Sequence, residues 1–416
     1  METVQALPGT YDLLPADTAR WDELRSRVAE IMARYGYGRV ETPHIEQAVL
    51  FSRSVGTETD IVQKEMYAFD DRGGRHLALR PEGTAGVVRA FVEHRLDRQR
   101  PYHKFWYWGP MFRAERPQKG RYRQFWQFGV ETFGIAEASM DAEQVALAWT
   151  LAAALGLSDV TLRLNSIGDG ECRPSYRDRL GSFLASVGDR LCEGCRTRVR
   201  SNPLRVLDCK AEACRRLLND VPLMIDHLCS ACQAHFDEVR RHLDAWHIPY
   251  HVDGRIVRGL DYYVRTAFEL DSALLGAQSS VLGGGRYDGL VQALGGPDVP
   301  GVGWAAGIER VLLAAGASAA GSEPGIGAYV AAFPETRDAA LAWVQSLRER
   351  GAAIESDHQS RSLKAQMKEA ARLRARWVFV LGPEEWAQGK VAVRNLSTGE
   401  QEVLELEKAG ALIAAS

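Results

Sequence analysis

Residues 316–327 read GASAAGSEPGIG, a run of small residues interrupted by a proline. Such a run cannot pack a core or sustain a helix or strand, so it marks a linker with separate bodies on either side. After it, strand-like Ala328–Ala332, helical Thr336–Arg350, strand-like Ala352–Glu355, helical Ser362–Arg374 and strand-like Trp377–Leu381 alternate. That rhythm predicts a small α/β domain over 328–416. We place the first domain at 1–318 and the linker proper at 319–327.

The longer body mixes its signals. Trp21, Leu24, Val28, Ile31 and Tyr35 recur at helical spacing, with Asp17 or Thr18 placed to cap the start and Gly36 and Gly38 to end it. Arg39–Pro43 reads as a strand that stops at the proline. Trp106–Phe112 and Phe125–Phe133 are aromatic-rich strands around a polar loop, which predicts an antiparallel hairpin. Asp141–Leu155 reads as a helix closed by Gly156, and Val160–Asn165 as a strand. Strand signals return at Ile256–Arg258, Thr266–Asp271 and Ser279–Leu282. A glycine-rich turn, a helix from Tyr287 and a further strand and helix over Val302–Leu313 follow. Residues 170–252 break this pattern with helical signals and clustered cysteines, and read as an inserted subdomain. The expected fold class is α/β: an α+β core with a mostly antiparallel sheet flanked by helices, a helical insertion and a small C-terminal α/β domain.

Hydrophobic residues make up 46% of the chain, which excludes a disordered polymer and supports real cores. Lys+Arg 51 against Asp+Glu 54 leaves a net charge of −3, so a basic surface for an anionic partner has to be local. The most apolar run, Val145–Leu157, is too short to span a bilayer, and the N-terminus lacks the basic start and apolar stretch of a signal peptide. A cytoplasmic protein with no membrane partner is the expectation. Gly382–Lys390 (GPEEWAQGK) has the wrong glycine spacing for a P-loop, and Val391 stands where a hydroxyl residue is needed. Gly283–Gly285 lacks the dinucleotide spacing, and there is no G-x-S-x-G elbow.

Two segments carry chemistry. Phe112–Glu131 (FRAERPQKGRYRQFWQFGVE) holds Arg113, Arg116, Lys119, Arg121 and Arg123 on its loop against the single acid Glu115. Guanidinium forks on a hairpin loop suit phosphate oxygens, and Phe125 is positioned to stack a purine; a solvated charged hairpin is the alternative. Gly301–Arg310 (GVGWAAGIER) lets a backbone approach a ligand closely before Glu309 and Arg310 open a helix; a tight strand-to-helix joint is the alternative.

Together these segments resemble the second and third motifs of class II aminoacyl-tRNA synthetases, and the strand ending at Pro43 resembles the first. The signatures of class I synthetases are absent. Leu79–Ala85 (LRPEGTA), Arg258–Glu269 (RGLDYYVRTAFE), Gly283–Gly289 (GGGRYDG) and Leu7–Leu14 (LPGTYDLL) narrow the resemblance to the histidyl-tRNA synthetase family over nearly the whole chain.

The resemblance implies ATP-dependent ligation of L-histidine to its tRNA through a histidyl-adenylate, with magnesium accompanying ATP. It implies catalytic roles for Arg113, Arg258 and Arg310. Arg113 would contact the α-phosphate and the substrate carboxylate, Arg258 would neutralise the α-phosphate from the other side, and Arg310 would hold the γ-phosphate. Glu115, Arg121 and Phe125 would complete the ATP site. Glu82, Gly83, Thr84, Gln127, Glu131, Tyr262 and Tyr263, with Arg113 and Arg258, would bind histidine. The C-terminal domain would bind the anticodon. Arg361, Lys364, Lys368, Arg372 and Arg376 are spaced to form a basic stripe if their helix runs on past Arg374, a solvated helix face being the alternative. Gln118 is the candidate reader of the extra 5′ guanosine of histidine tRNA. A homodimer is implied, and the insertion is expected to grip the acceptor arm. The alternative is a non-catalytic, synthetase-like regulatory subunit of ATP phosphoribosyltransferase, a type that typically lacks the C-terminal domain.

Six of the seven cysteines crowd into residues 192–232. Cys192-x-x-Cys195 and Cys229-x-x-Cys232 have zinc-ligand spacing, which reads abstractly as one tetrahedral thiolate site. The resembled family is not generally a zinc family, so reduced buried thiols or occasional disulfides are preferred here over structural zinc, and no metal ligand is assigned to the active site.

Overall fold

The computed structural model describes residues 3–57, 59–118, 120–209, 211–257, 260–276, 279–316 and 325–414. The chain divides into two compact units, 1–320 and 321–416. The strands of the first unit are β1 (Gly38–Arg39), β2 (Ile45–Gln47), β3 (Ala68–Asp70), β4 (His76–Leu79), β5 (His103–Phe112), β6 (Gln124–Phe133), β7 (Val160–Ser166), β8 (His251–Val252), β9 (Val264–Ser272), β10 (Ser280–Arg286) and β11 (Gly301–Gly307). Its helices are α1 (Pro15–Arg34), α2 (Ala48–Val55), α3 (Thr84–Glu93), α4 (Ala138–Ala154), α5 (Arg173–Val187), α6 (Glu193–Ser201), α7 (Glu212–Leu217), α8 (Ser230–Ala245), α9 (Leu290–Ala293) and α10 (Ile308–Ala315).

The large sheet runs β1-β5-β6-β11-β10-β9-β7-β8. Only its outer pairs, β1 with β5 and β7 with β8, are parallel. The β5–β6 hairpin is in register from His103 opposite Phe133 to Phe112 opposite Gln124. Strand alternation sorts its aromatics. Trp106 and Trp108 join Val28, Ile31 and Leu151 of α1 and α4 in the core on one face, while Tyr107 and Met111 join Val88, Phe91 and Tyr287 on the other. The α/β class and the mostly antiparallel sheet are as the sequence leads one to expect.

Several local expectations fail for identifiable reasons. Helix α1 starts at Pro15 after Leu14, with no side-chain cap; Asp17 and Thr18 lie inside its first turn. Proline preset for helical φ at the first position does the work assigned to a cap. β1 ends at Arg39 rather than at Pro43. Ile256 and Val257 are in no strand, and Arg258 lies outside the described residues. Gly283–Gly285 is no turn: it is the middle of β10. A Cβ on Gly284 would overlap the Gly303 carbonyl and Trp304 of β11, so glycine is required there by the approach of the neighbouring strand. The helix expected from Tyr287 begins at Leu290 and is one turn long.

In the segment expected to be an insertion, α5 to α7 share a separate core of Tyr176, Leu180, Leu184, Val206 and Met224 with the cysteines, whereas α8 turns Phe236, Val239 and Leu243 into the main core beside α4. The second unit contains β12 (Ala328–Ala332), β13 (Ile354–Ser356), β14 (Trp377–Leu381), β15 (Lys390–Asn395) and β16 (Gln401–Glu405), in the order β13-β12-β14-β15-β16. Its helices are α11 (Arg337–Glu349), α12 (Leu363–Arg372), α13 (Pro383–Ala387) and α14 (Leu406–Ala414). β12, β13 and β14 are parallel, and β15 and β16 add antiparallel to them. Of the linker-like run, residues 317–324 lie outside the described residues. Among the described residues no helix is long and apolar enough to cross a membrane.

Candidate active site

Strand β6 builds one wall of the site, because Gln127, Gly129 and Glu131 alternate onto the same face. Glu131 is fully buried. Its carboxyl accepts hydrogen bonds from Thr84 Oγ1 (2.7 Å) and the Tyr287 hydroxyl. Burial pushes its pKa up to about 8, against the opposing pull of the Tyr287 and Thr84 hydrogen bonds. Gly303 of β11 pairs with Glu131, and a Cβ there would strike the Glu131 carboxylate. The glycine of that segment therefore clears space for a functional side chain.

Glu82 lies beside it, buried, with its pKa raised by that burial. Its two oxygens accept from the backbone of Thr84 (2.6 Å) and Ala85 (2.9 Å) at the start of α3. Gly83 has no room for a side chain, because the Tyr107 ring packs where its Cβ would be. The Tyr262 ring lies tilted 4.6 Å from Tyr263 and edge-on 5.6 Å from Tyr287. Three buried polar atoms in this region, Tyr107 Oη, Tyr262 Oη and Gln127 Oε1, lack a hydrogen-bond partner of good geometry. A buried polar atom left so is costly, which marks a place for a polar ligand.

This wall opens into a cleft of about 590 Å³, lined among others by Arg113, Glu115, Arg121, Phe125, Gln127 and Arg310. The hairpin loop bends Arg113 back so that its Nε donates to the Pro81 carbonyl (2.9 Å) and its guanidinium lies 5.2 Å from the Phe125 ring. Arg121 pairs with Glu115 at 2.9 Å. Arg310, at the start of α10, donates through Nε to the Ser280 carbonyl (2.7 Å). Its guanidinium is pulled below its ordinary pKa by burial and then by the neighbouring Arg121 charge. Cations gathered against their own repulsion describe an anion site. Glu309 faces the other way, accepting from Tyr11 Oη (2.7 Å) and the Trp126 backbone (2.9 Å), and burial raises its pKa.

The structure thus brings Arg113, Glu115, Arg121, Phe125, Gln127 and Arg310 into one cleft, and Glu82, Gly83, Thr84, Glu131, Tyr262 and Tyr263 into the adjoining buried region. Arg258 lies outside the described residues, and so does Lys119. Gln118 is exposed at the tip of the hairpin loop, bridged to Arg121 through the backbone. Sequence reasoning missed Tyr107 and Tyr287, which pack around the acidic pair. It also missed Arg198, Arg205 and Asp208, which the insertion contributes to the cleft wall. Arg198 reaches Asp60 at 3.8 Å.

Two expectations need correction. The two Cys-x-x-Cys pairs do not share one site: Cys192 and Cys195 gather with Cys209 and Cys214, whereas Cys229 and Cys232 gather with Cys172 and Asp169. The five-residue basic stripe does not form either. Helix α12 ends at Arg372, Arg374 has a φ of +49°, and Arg376 is carried off the face. Arg361 is tied to Asp357 (2.5 Å) and Arg372 to Glu369 (2.5 Å), which leaves Lys364 and Lys368 exposed on the helix.

Comparison with known proteins agrees with this geometry. A family model described as histidyl-tRNA synthetase matches residues 9–168 and 202–311, and one described as anticodon binding domain matches 328–416. The chain is 49% identical over 413 residues to a histidine–tRNA ligase of Anaeromyxobacter dehalogenans, covering 99% of both chains. It is 45% identical to that of Geobacter metallireducens, covering 96% of both. The apo structure of Staphylococcus aureus histidyl-tRNA synthetase superposes with a TM-score of 0.83 at 34% identity, over 99% of this chain and 100% of that one. Full-length likeness to ligases does not favour the regulatory-subunit alternative. On the buried carboxyl pair, the arginine-lined cleft and this coverage, the chain belongs to the histidyl-tRNA synthetase family.

Proposed function

We propose that the chain joins L-histidine to its tRNA at the expense of ATP. The carrying observation is the convergence of Arg113, Arg121 and Arg310 on one cleft that adjoins the buried pocket of Glu82 and Glu131. Histidine's carboxylate attacks the α-phosphorus of ATP, pyrophosphate leaves, and histidyl-adenylate remains. The terminal ribose hydroxyl of the tRNA then attacks the acyl carbon and releases AMP. The protein contributes position and charge rather than covalent chemistry.

In this reading Arg113 orients the carboxylate and the α-phosphate, and Phe125 offers the adenine a face. Arg310 and Arg121 take up charge on the departing pyrophosphate. Arg258, which lies outside the described residues, is assigned the remaining charge of the α-phosphate on the family resemblance alone. Magnesium comes with the nucleotide, and Glu65, Glu115 and Asp208 are carboxylates on the cleft wall suited to a hard cation. Gln127, Glu131, Thr84 and the hydroxyls of Tyr262 and Tyr263 receive the imidazole and the α-ammonium, with Glu82 and Gly83 fixing the start of α3 beneath them. Lys364 and Lys368, with Arg361, meet the tRNA from the second unit, and Gln118 meets its acceptor end. A homodimer working in the cytoplasm completes the proposal.

The test is ATP–pyrophosphate exchange with each of the twenty amino acids in turn. Exchange with histidine alone is the expected result. A folded chain that exchanges with none is no ligase, and the regulatory-subunit reading then takes its place.

Glu131 gives this reading a pH signature. With its pKa at about 8, the free carboxyl is mostly protonated at neutral pH, whereas a bound cationic group requires the carboxylate. Histidine should therefore bind more tightly as pH rises from 6.5 towards 8.5, seen as a falling KM in the exchange assay. Glu131→Gln should bind weakly and lose that dependence; an unchanged KM profile in the variant would remove Glu131 from the binding role. Because folding raises this pKa, the same group lowers stability progressively between about pH 4.5 and pH 8, where the folded chain holds the proton more tightly than the unfolded one.

A further inference from the structure

Seven cysteines are free, and every one of them belongs to one of two clusters in the insertion. In the first, the sulfurs of Cys192, Cys195, Cys209 and Cys214 all lie within 4.8 Å of one another. In the second, the same holds for a carboxylate oxygen of Asp169 and the sulfurs of Cys172, Cys229 and Cys232. Four thiolates at about 2.3 Å from one zinc ion stand roughly 3.8 Å apart. The Cys192 and Cys209 sulfurs stand at 3.9 Å. That is far too long for a disulfide, whose sulfurs are bonded at about 2.05 Å. It is also too tight for a polynuclear cluster, whose ligands must surround several metal atoms.

The backbone is arranged as thiolate ligation requires. Cys192 and Cys229 sit at the N-caps of α6 and α8, so each Cys-x-x-Cys pair presents two sulfurs across a first helical turn. The Cys192 backbone N–H donates to Cys214 Sγ (3.2 Å), and that of Cys229 donates to Cys172 Sγ (3.1 Å). Backbone donors aimed at sulfur stabilise charge on it. Asp169 is held by the Glu171 backbone at 3.0 Å and by Arg265 of β9 at 3.3 Å, which orients a carboxylate and offsets its charge.

We propose that the insertion binds two structural zinc ions, one on Cys192, Cys195, Cys209 and Cys214, and one on Asp169, Cys172, Cys229 and Cys232. The first ion pins together α6, the loop before α7 and α7 itself. That is the stretch that delivers Arg198, Arg205 and Asp208 to the cleft wall. The second ion closes the neck of the insertion, joining the chain leaving β7 to the start of α8. Neither ion touches substrate.

The experiment uses the full chain, expressed with sufficient zinc and purified without chelator. Metal content by inductively coupled plasma mass spectrometry should give two zinc ions per chain, and X-ray absorption a sulfur-dominated four-coordinate shell. An organomercurial should release both ions in step with thiol modification. Cys209→Ser should lose one ion and Cys229→Ser the other. Should a variant not fold, the wild-type stoichiometry and mercurial release decide alone. A folded wild-type chain with no stoichiometric zinc and seven freely reactive thiols overturns the proposal. A single ion per chain, or a variant that keeps both ions, overturns the two-site assignment.

Discussion

Arg113→Ala should lower histidine-dependent pyrophosphate exchange by roughly 100- to 1,000-fold, the loss expected when one preorganised donor to a developing oxyanion is removed. The side chain is positioned on two sides, by the Pro81 carbonyl and by the Phe125 ring, so its fork is set before substrate arrives. Arg113→Lys should recover only part of the rate, because a point charge cannot reproduce two parallel N–H donors. The loss should fall mainly on kcat, with the circular dichroism spectrum unchanged. Exchange within a few-fold of wild type would place the α-phosphate contact elsewhere in the cleft.

Asp141→Ala should destabilise the first unit by about 3 kcal/mol, the low end of the cost of breaking a buried pair, because Arg286 keeps the half-buried Asp288. Arg286 and Asp141 are both fully buried and paired, and His235 of α8 reaches the same carboxylate at 2.8 Å. Arg286 also meets Asp288 at 2.9 Å and the Ile135 carbonyl at 3.1 Å. Burial raises the Asp141 pKa, but Arg286 and His235 outweigh it and hold the carboxyl below its ordinary value. A depressed carboxyl adds stability above its unfolded pKa and loses it as pH falls through the folded one. The wild type should therefore shed this contribution only in strong acid, and the variant should lack that acid limb. Urea unfolding followed by tryptophan fluorescence at pH 7 measures the first effect, and its extension down to about pH 2 the second; a cost below about 1 kcal/mol would show that the pair is not held as buried as it stands.

These two residues also show what could be read in advance. The loop of Arg113 was legible as a charged hairpin between two aromatic strands, but a solvated loop fitted the same composition, and only the resemblance to the synthetase motif singled out Arg113. Arg286 was visible only as part of a glycine-rich string, whose glycines look like a turn until β11 is seen pressing on Gly284. Tyr287 reads as any core aromatic, and only the register of β6, β11 and β10 brings its hydroxyl to Glu131. The cysteine spacing suggested ligand pairs, but neither their place at the starts of α6 and α8 nor which distant cysteines come to face them could be read from it. The β15–β16 hairpin did carry a signal: Asn395 to Gly399 is a turn in which the asparagine side chain accepts from the Ser397 backbone at 2.8 Å. The basic residues around α12 could be spaced from sequence, but the spacing did not show that Arg361 and Arg372 are taken up by their near neighbours Asp357 and Glu369.

The strand order has a consequence in time. Glu131 lies on β6, and the strand that closes over it, β11, carries Gly303 opposite. At a synthesis rate of about 5–20 residues per second, roughly 10–30 seconds separate the making of these two positions. Throughout that interval β6 leaves the N–H and C=O groups of one edge unpaired, and the Tyr11 to Glu309 bond, spanning 298 residues, does not exist. The insertion is made during the wait, and it has its own core to fold around. The nascent chain thus carries β5 to β8 and the cysteine-rich helices before β9, β10 and β11 exist, and the substrate pocket closes only when the last strand of the sheet arrives.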